Sequence, residues 1–257
     1  MTRFLAIALA LGRRSIRNWL ASPAILIPSI GFPLFFLVAL AGGLSVLTHA
    51  TAFDYPAGYT AFQFVFVALQ ASAFVGVFTG IAIAADFESG FGRRLLLAAP
   101  NRLGIIAGYA LSAVFRTIAI VLLLQLVALA AGMQMDGGIS GLAALYVLAV
   151  LISLAAMLFA TGVALRTRTV QSGPAMQIPV FLLLFLAPVY VPRQLLTGWA
   201  ATAADVNPFT PIVEAGRDLV AGLHVDAGRA YGSALALVAV TALWAIRGLR
   251  AAERAGG

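Results

Sequence analysis

The sequence predicts an all-α, polytopic membrane protein, and three observations carry that prediction. Of 257 residues, 62% are hydrophobic and 10% charged, with a mean hydropathy of +1.03, whereas a water-facing domain carries about a quarter charged residues. Six apolar stretches, approximately 24–47, 60–85, 104–132, 141–165, 174–191 and 229–246, approach the roughly 20 residues needed to cross about 30 Å of hydrocarbon. The arginines, finally, collect between alternate stretches. All 257 residues read as one transmembrane domain.

The N-terminal segment, 1–22, holds Arg3, Arg13, Arg14 and Arg17. At 100° per residue these fall within an arc of about 100°. Phe4, Leu5, Ile7, Leu11, Ile16, Trp19 and Leu20 occupy the rest of the circumference. The pattern predicts an amphipathic helix lying in the membrane interface, arginines among lipid phosphates. Ser22-Pro23 supplies a break before the first span. Pro28 and Pro33 in the first span, and Pro179 and Pro188 in the fifth, free backbone carbonyls that must face protein or a wet cavity. We therefore expect these two spans beside a pathway. Gly76, Gly80, Gly104, Gly108 and Gly132 are expected to let helices approach closely.

The second–third connection, 84–102, reads AADFESGFGRRLLLAAPNR. Asp86 and Glu88 end the second span, Gly90 is placed to close it in a left-handed cap, and RRLLLAAP predicts a short amphipathic helix stopped by Pro100. Such a helix suits a groove in a partner protein; the alternative is a self-contained turn with wet charges. A charge reversal at Asp86 or Glu88, or Leu96→Asp, is expected to separate this segment's role from membrane insertion. The long connection 192–228 carries Asn207-Pro208, then IVEAGRDLVAGL, whose Glu214 and Asp218 share a helix face at i,i+4 with Arg217 beside them. It predicts a re-entrant hairpin or a helix lying on the bilayer.

Arginine placement sets orientation. Arg3, Arg13, Arg14, Arg17, Arg93, Arg94, Arg102, Arg166, Arg168, Arg247, Arg250 and Arg254 lie on one side of a six-span chain, against Arg193, Arg217 and Arg229 on the other. Both termini are expected in the cytoplasm, and the net charge of +7 reads as topology rather than nucleic-acid affinity. Arg116, inside the third span, is expected to snorkel to the phosphates, with a substrate or interhelical contact as the alternative. Gln63, Gln70 and Gln125 are expected to hydrogen-bond between helices.

Composition excludes several chemistries. There is no lysine for a nucleotide-binding P-loop and no cysteine for a thiolate. His49 and His224 stand far apart without ligand-spaced neighbours, so no metal site is expected. All nine acids fall in connections or tails, which disfavours ion-coupled carriage. A lipid-modifying enzyme would need clustered acids, and the i,i+2 spacing of Asp86 and Glu88 separates them. A passive channel remains as a further alternative. The chain looks like a pathway without an energy source.

Four features together resemble the type-2 ABC exporter permeases, in particular the small antibiotic- and drug-resistance branch. They are the basic start running into SPAILIPSIGFPLFFLVALAGGL, the DFESGFGRRLLLAAPNRLGIIAGYALS connection, the six-span order, and VNPFTPIVEAGRDLVAGL before the last span. The resemblance implies a bacterial cytoplasmic membrane and two permease chains around one route, as a homodimer or with a paralogue. Separate ABC ATPase subunits would hold ATP and Mg, no cofactor being bound by this chain. It implies export of a hydrophobic or amphipathic drug, antibiotic or lipid, or of a polysaccharide or glycolipid. Asp86, Glu88, Gly90, Leu95, Leu96 and Pro100 match a coupling segment within 86–102, where Arg93 and Arg94 occupy variable positions. Arg13, Arg14 and Arg17 lie on the interface helix, and Asn207, Pro208 and Arg217 match the outer segment.

Overall fold

The computed structural model describes residues 2–43, 55–98 and 101–254. Ten α-helices and no strand occur among them. α1 (Thr2–Ala21) ends at Ser22, and α2 (Pro23–Gly43) begins at the proline, which has no N–H to lose there. α3 (Gly58–Glu88), α4 (Phe91–Ala98), α5 (Leu103–Ala130) and α6 (Gly138–Thr167) follow. A single 3₁₀ turn, Val170–Ser172, leads into α7 (Gly173–Phe185), and another, Arg193–Leu195, precedes α8 (Gly198–Val206). α9 (Thr210–Ala221) and α10 (Ala227–Arg254) complete the chain.

Five of these helices, α2, α3, α5, α6 and α10, are long and apolar enough to cross a membrane, so the protein is a multi-pass membrane protein. The fifth predicted span departs from expectation. Instead of a helix over 174–191, α7 has 13 residues, about 20 Å at 1.5 Å per residue. It ends at Phe185, three residues before Pro188, which has no N–H with which to continue the ladder.

α3 is the central post, buried on all sides over residues 61–77. A Cβ built on Gly76 would lie 2.6 Å from the Met157 amide nitrogen and 2.8 Å from Ala156 Cβ, and one on Gly80 would collide with Ala160 Cβ. Only glycine permits this approach of α3 to α6. α1 runs lengthwise along the start of α5, with Phe4 and Ile7 against Gly104, Ala8 and Leu11 against Gly108, and Ser15 bonded to Ser112 at 2.9 Å. Gly132, by contrast, has nothing near its Cβ and a φ of +85°; it makes the turn after α5 rather than a helix contact.

The C-terminal ends of α3, α6 and α10 meet the start of α5 at one end of the molecule, called here the basic end. The start of α3, the start of α6, the end of α7 and α9 meet at the opposite end.

Candidate functional site

At the basic end, α3 stops because Gly90 adopts φ +76°, a conformation that costs other residues about 1–2 kcal/mol. The amides of Ser89 and Gly90 bond back to Ala85 O and Phe87 O, each at 3.0 Å. The chain turns into α4, whose Gly92 and Leu96 are buried. Leu95 and Leu96 pack with Ile83, Phe87, Ile105 and Leu249 around a small apolar crevice. Arg93, Arg94 and Leu97 are turned outward, Leu97 being 71% exposed. Pro100 lies outside the described residues.

Asp86 and Glu88 each grip a different neighbour. Arg14 of α1 donates from Nη1 to Asp86 Oδ2 at 2.9 Å and from Nη2 to Oδ1 at 2.8 Å, the two-pronged geometry that makes guanidinium–carboxylate pairs strong. Tyr109 of α5 donates to the same carboxylate. The Arg14 guanidinium also lies 3.9 Å from the centre of the Phe91 ring. The hydrogen bond to Asp86 holds Arg14 above its ordinary pKa, against the opposing effect of partial burial. Glu88 Oε2 accepts the Val170 N–H at 2.9 Å, so α3 is joined to the connection between α6 and α7. There Arg168 donates to Ala252 O of α10 at 3.0 Å, and Arg166 lies 3.7 Å over Trp244.

One turn of chain thus gathers α1, α3, α5 and the α6–α7 connection around the base of α4. A double-mutant cycle on Arg14→Gln and Asp86→Asn, read by thermal unfolding in detergent, should give a coupling of about 1 kcal/mol, since Arg14 is about one-third exposed. Independent effects of the two substitutions would show the pair to be energetically idle.

At the opposite end lies a cavity of about 720 Å³ lined by Tyr55, Phe62, Arg193, Asp205, Glu214 and Asp218, with Arg217 in its floor. Arg193 pairs with Asp205 at 3.0 Å and reaches Glu214 at 3.9 Å. Burial raises the carboxyl pKa values of Glu214 and Asp218, opposed by Arg193 and Arg217 at Glu214 and by Arg217 at Asp218. Glu214 and Asp218 do share a face.

Arg217 is 4% exposed and pairs with backbone rather than carboxylate. It donates to Pro188 O at 2.6 Å, Val189 O at 3.0 Å and Phe62 O at 3.3 Å, with Cζ 3.3 Å from the centre of the Phe62 ring. Asn207 donates to Leu183 O at 2.7 Å and accepts the Phe209 N–H at 2.9 Å. Gln63 donates to Tyr59 Oη at 2.6 Å and Val189 O at 3.3 Å, and Tyr59 donates to Tyr190 O at 3.2 Å. Leu183 O, Pro188 O, Val189 O and Tyr190 O are carbonyls that the break after α7 leaves open. Pro208, beside Asn207, is exposed.

Arg116 departs from expectation. It does not snorkel; 4% exposed, it turns from α5 into the bundle, where Nη2 donates to the Thr79 hydroxyl of α3. Its Nε donates to its own helix at Ser112 O, 3.4 Å away. Gln125 accepts from Tyr146 of α6 at 2.7 Å, an interhelical bond as expected. Gln70 is buried with neither amide atom partnered among the described residues. Of the α1 arginines, Arg14 turns inward while Arg13 and Arg17 are exposed. Sequence reasoning missed Tyr55, Tyr59 and Tyr109, whose hydroxyls lie at the two ends of the bundle. Tyrosines just inside the ends of apolar stretches, where one edge is wet, were the available signal.

An apolar crevice of about 200 Å³ lies between α3, α6, α7 and α10, lined by Ala73, Phe159, Pro179, Leu183, Phe209 and Leu237 among others.

Comparison with known proteins accords with this architecture. The family model described as ABC-2 type transporter matches residues 8–221. The daunorubicin resistance ABC transporter permease protein DrrB1 of Streptomyces coeruleorubidus is 28% identical over 202 residues, covering 78% of this chain and 70% of that protein. The match takes in α3 to α9, including the α4 elbow and the Asn207–Arg217 clamp, and the chain belongs to the ABC-2 type transporter family of membrane permeases.

Proposed function

We propose that the chain is the transmembrane subunit of an ATP-driven exporter of a hydrophobic or amphipathic molecule, a drug, antibiotic or lipid. The basic end faces the cytoplasm, following the preference of cytoplasmic connections for arginine. Family membership implies ABC ATPase partners; they hold ATP and Mg, since this chain has no lysine for a P-loop. The observation that carries the reading is α4, a short helix presenting Arg93, Arg94 and Leu97 outward from the hub of four structural connections. A displacement of α4 pulls α3 through Gly90, α1 through Asp86 and Arg14, and the start of α7 through Glu88. α7 and its clamp line the opposite mouth, so a push at one end reaches the other through rigid helices. The apolar crevice beside α7 and the drug-resistance relative both favour an apolar substrate. A second permease copy, or a paralogue, completes the route.

The placement of each residue decides the test. Leu96 is buried and Asp86 holds Arg14, so changing either also loosens the fold. Leu97→Asp combined with Arg93→Glu and Arg94→Glu alters only the outward face. In cells co-expressing the partner ATPase, this variant should insert normally, lose the ATPase in pull-downs, and export at less than about one-tenth of the wild-type rate, as befits loss of a central anchor at a protein interface. Normal export by the variant would refute the coupling role of α4.

A further inference from the structure

Gln70 stands near the middle of α3, 1% exposed, with neither Oε1 nor Nε2 hydrogen-bonded among the described residues. An amide shut away from water without a partner costs free energy, and a leucine fills similar space without that cost. The packing around Gln70 therefore gains nothing from the amide. A polar group that the closed fold only penalises marks a place that works with a ligand or in another state.

Helix geometry gives its surroundings. Phe66 and Phe74 lie one turn to either side of Gln70, on the same face of α3. Their rings lie 5.5 Å from Phe185 and 6.4 Å from Phe181 of α7, centre to centre, and those two stack on each other at 4.2 Å. Phe32 and Phe36 of α2 extend this belt, at 5.8 Å from Phe74 and 6.3 Å from Phe185. On the other side, about 60° round α3 at 100° per residue, Ala73 opens on the apolar crevice of about 200 Å³. Gln70 thus separates an aromatic belt from a crevice, and α7 is a wall of both. That wall is built to move: α7 is short, carries Pro179 inside it, and is tied to its neighbours at its two ends, through Glu88 before it and Asn207 and Arg217 after it.

We infer that Gln70 is a specificity-determining residue for the exported molecule, binding a flat, fused-ring compound that carries a hydrogen-bond donor and acceptor side by side. When α7 draws away from α3, the amide is bared between the phenylalanine rings. The rings stack on the fused system, Nε2 donates to the ligand's carbonyl, and Oε1 accepts from its N–H or O–H. A hydrocarbon of the same shape leaves the amide unpaired and is disfavoured for that reason. The inference rests on the exporter reading and names the substrate class within it.

The test uses the purified full chain in lipid nanodiscs and two tritiated probes of one shape. Phenanthridinone presents the C=O and N–H of its lactam on one edge; phenanthrene has neither. Affinities are taken relative to each probe's partition into protein-free nanodiscs, and binding itself selects the open arrangement of α7. Wild type should bind phenanthridinone on the order of tenfold more tightly than phenanthrene, as two net hydrogen bonds allow. Gln70→Leu should remove that preference by weakening phenanthridinone alone. It should melt no lower than wild type, because an apolar group replaces an unpaired amide. Phe74→Ala should weaken both probes by a similar factor, since it removes ring contact and leaves the amide. No ATPase is present, so failure here leaves the exporter reading to its own test on α4, and failure there leaves the binding preference standing. Equal or absent binding of the two probes by wild type, or a preference kept by Gln70→Leu, would overturn the inference. A lower melting temperature for Gln70→Leu would do the same, since the amide would then be serving the fold.

Discussion

Replacing Arg217 by methionine is expected to lower stability by about 2 kcal/mol, because a buried acceptor left without a donor costs roughly 1–3 kcal/mol and the stacking on Phe62 is lost as well. Arg217 supplies bonds to Phe62 O, Pro188 O and Val189 O; Phe62 O also lies in the helical ladder of α3 and Val189 O has a second donor in Gln63, so Pro188 O is the acceptor that loses its donor outright. The loss is moderated because a buried cation no longer has to be desolvated. Arg217→Lys should recover only part of it: a single ammonium lacks the planar fork that reaches several carbonyls at once and stacks on Phe62. Thermal unfolding in detergent measures the loss, and protease access to residues 186–206 locates it. Export should fall in step with the melting temperature in the methionine variant. A methionine variant as stable as wild type would mean that the carbonyls find water, and that the clamp is not structural.

The second large effect is expected at Gly76. A valine there drives its first carbon into the Ser153 carbonyl and crowds the Met157 amide, both of them backbone. Rotamer changes cannot relieve such a contact, so α3 and α6 must part along their length. Ordinary overpacking costs about 1–3 kcal/mol; here the cost should lie at or above the upper figure, and the variant should be recovered mainly as aggregate or degraded chain. Gly31→Ala on α2 is the matched control. Nothing stands within 4 Å of its Cβ, so the substitution should be neutral or gain up to about 1 kcal/mol from helix propensity. Equal yields of the two variants would remove the argument for close α3–α6 packing.

Much of the fold was legible because bilayer thickness imposes a length on apolar segments, and four of the six predicted spans match long helices closely: 60–85, 104–132, 141–165 and 229–246. The first, 24–47, matches as far as the description of α2 extends. Residues 174–191 misled because hydropathy counts apolar side chains and is blind to backbone satisfaction. Leu186 to Val191 are as apolar as any span, yet Pro188 breaks the ladder and a distant arginine completes it. Ser22-Pro23 and Gly90 were readable since their effect is local, set by one residue's own geometry. Tertiary partners were not. The arc that grouped Arg14 with Arg13 and Arg17 holds in angle, but only a neighbour contributed by residue 86 distinguishes one from the others. Arg116 was misjudged for the same reason: snorkelling is the default only when no hydroxyl such as that of Thr79 waits inside the bundle.

The broken end of α7 bears on how the protein is made. During synthesis α7 emerges before residues 207–217, and at about 20 Å it neither spans the bilayer nor closes its own carbonyls. It has no stable resting place in lipid until Asn207 and Arg217 arrive from the ribosome. The last third of the chain must therefore insert as one unit, α7 to α9 together, with α10 following to seal it. A chain stopped before Asn207 presents quality-control proteases with an unfinished hairpin, however complete its hydrophobic profile.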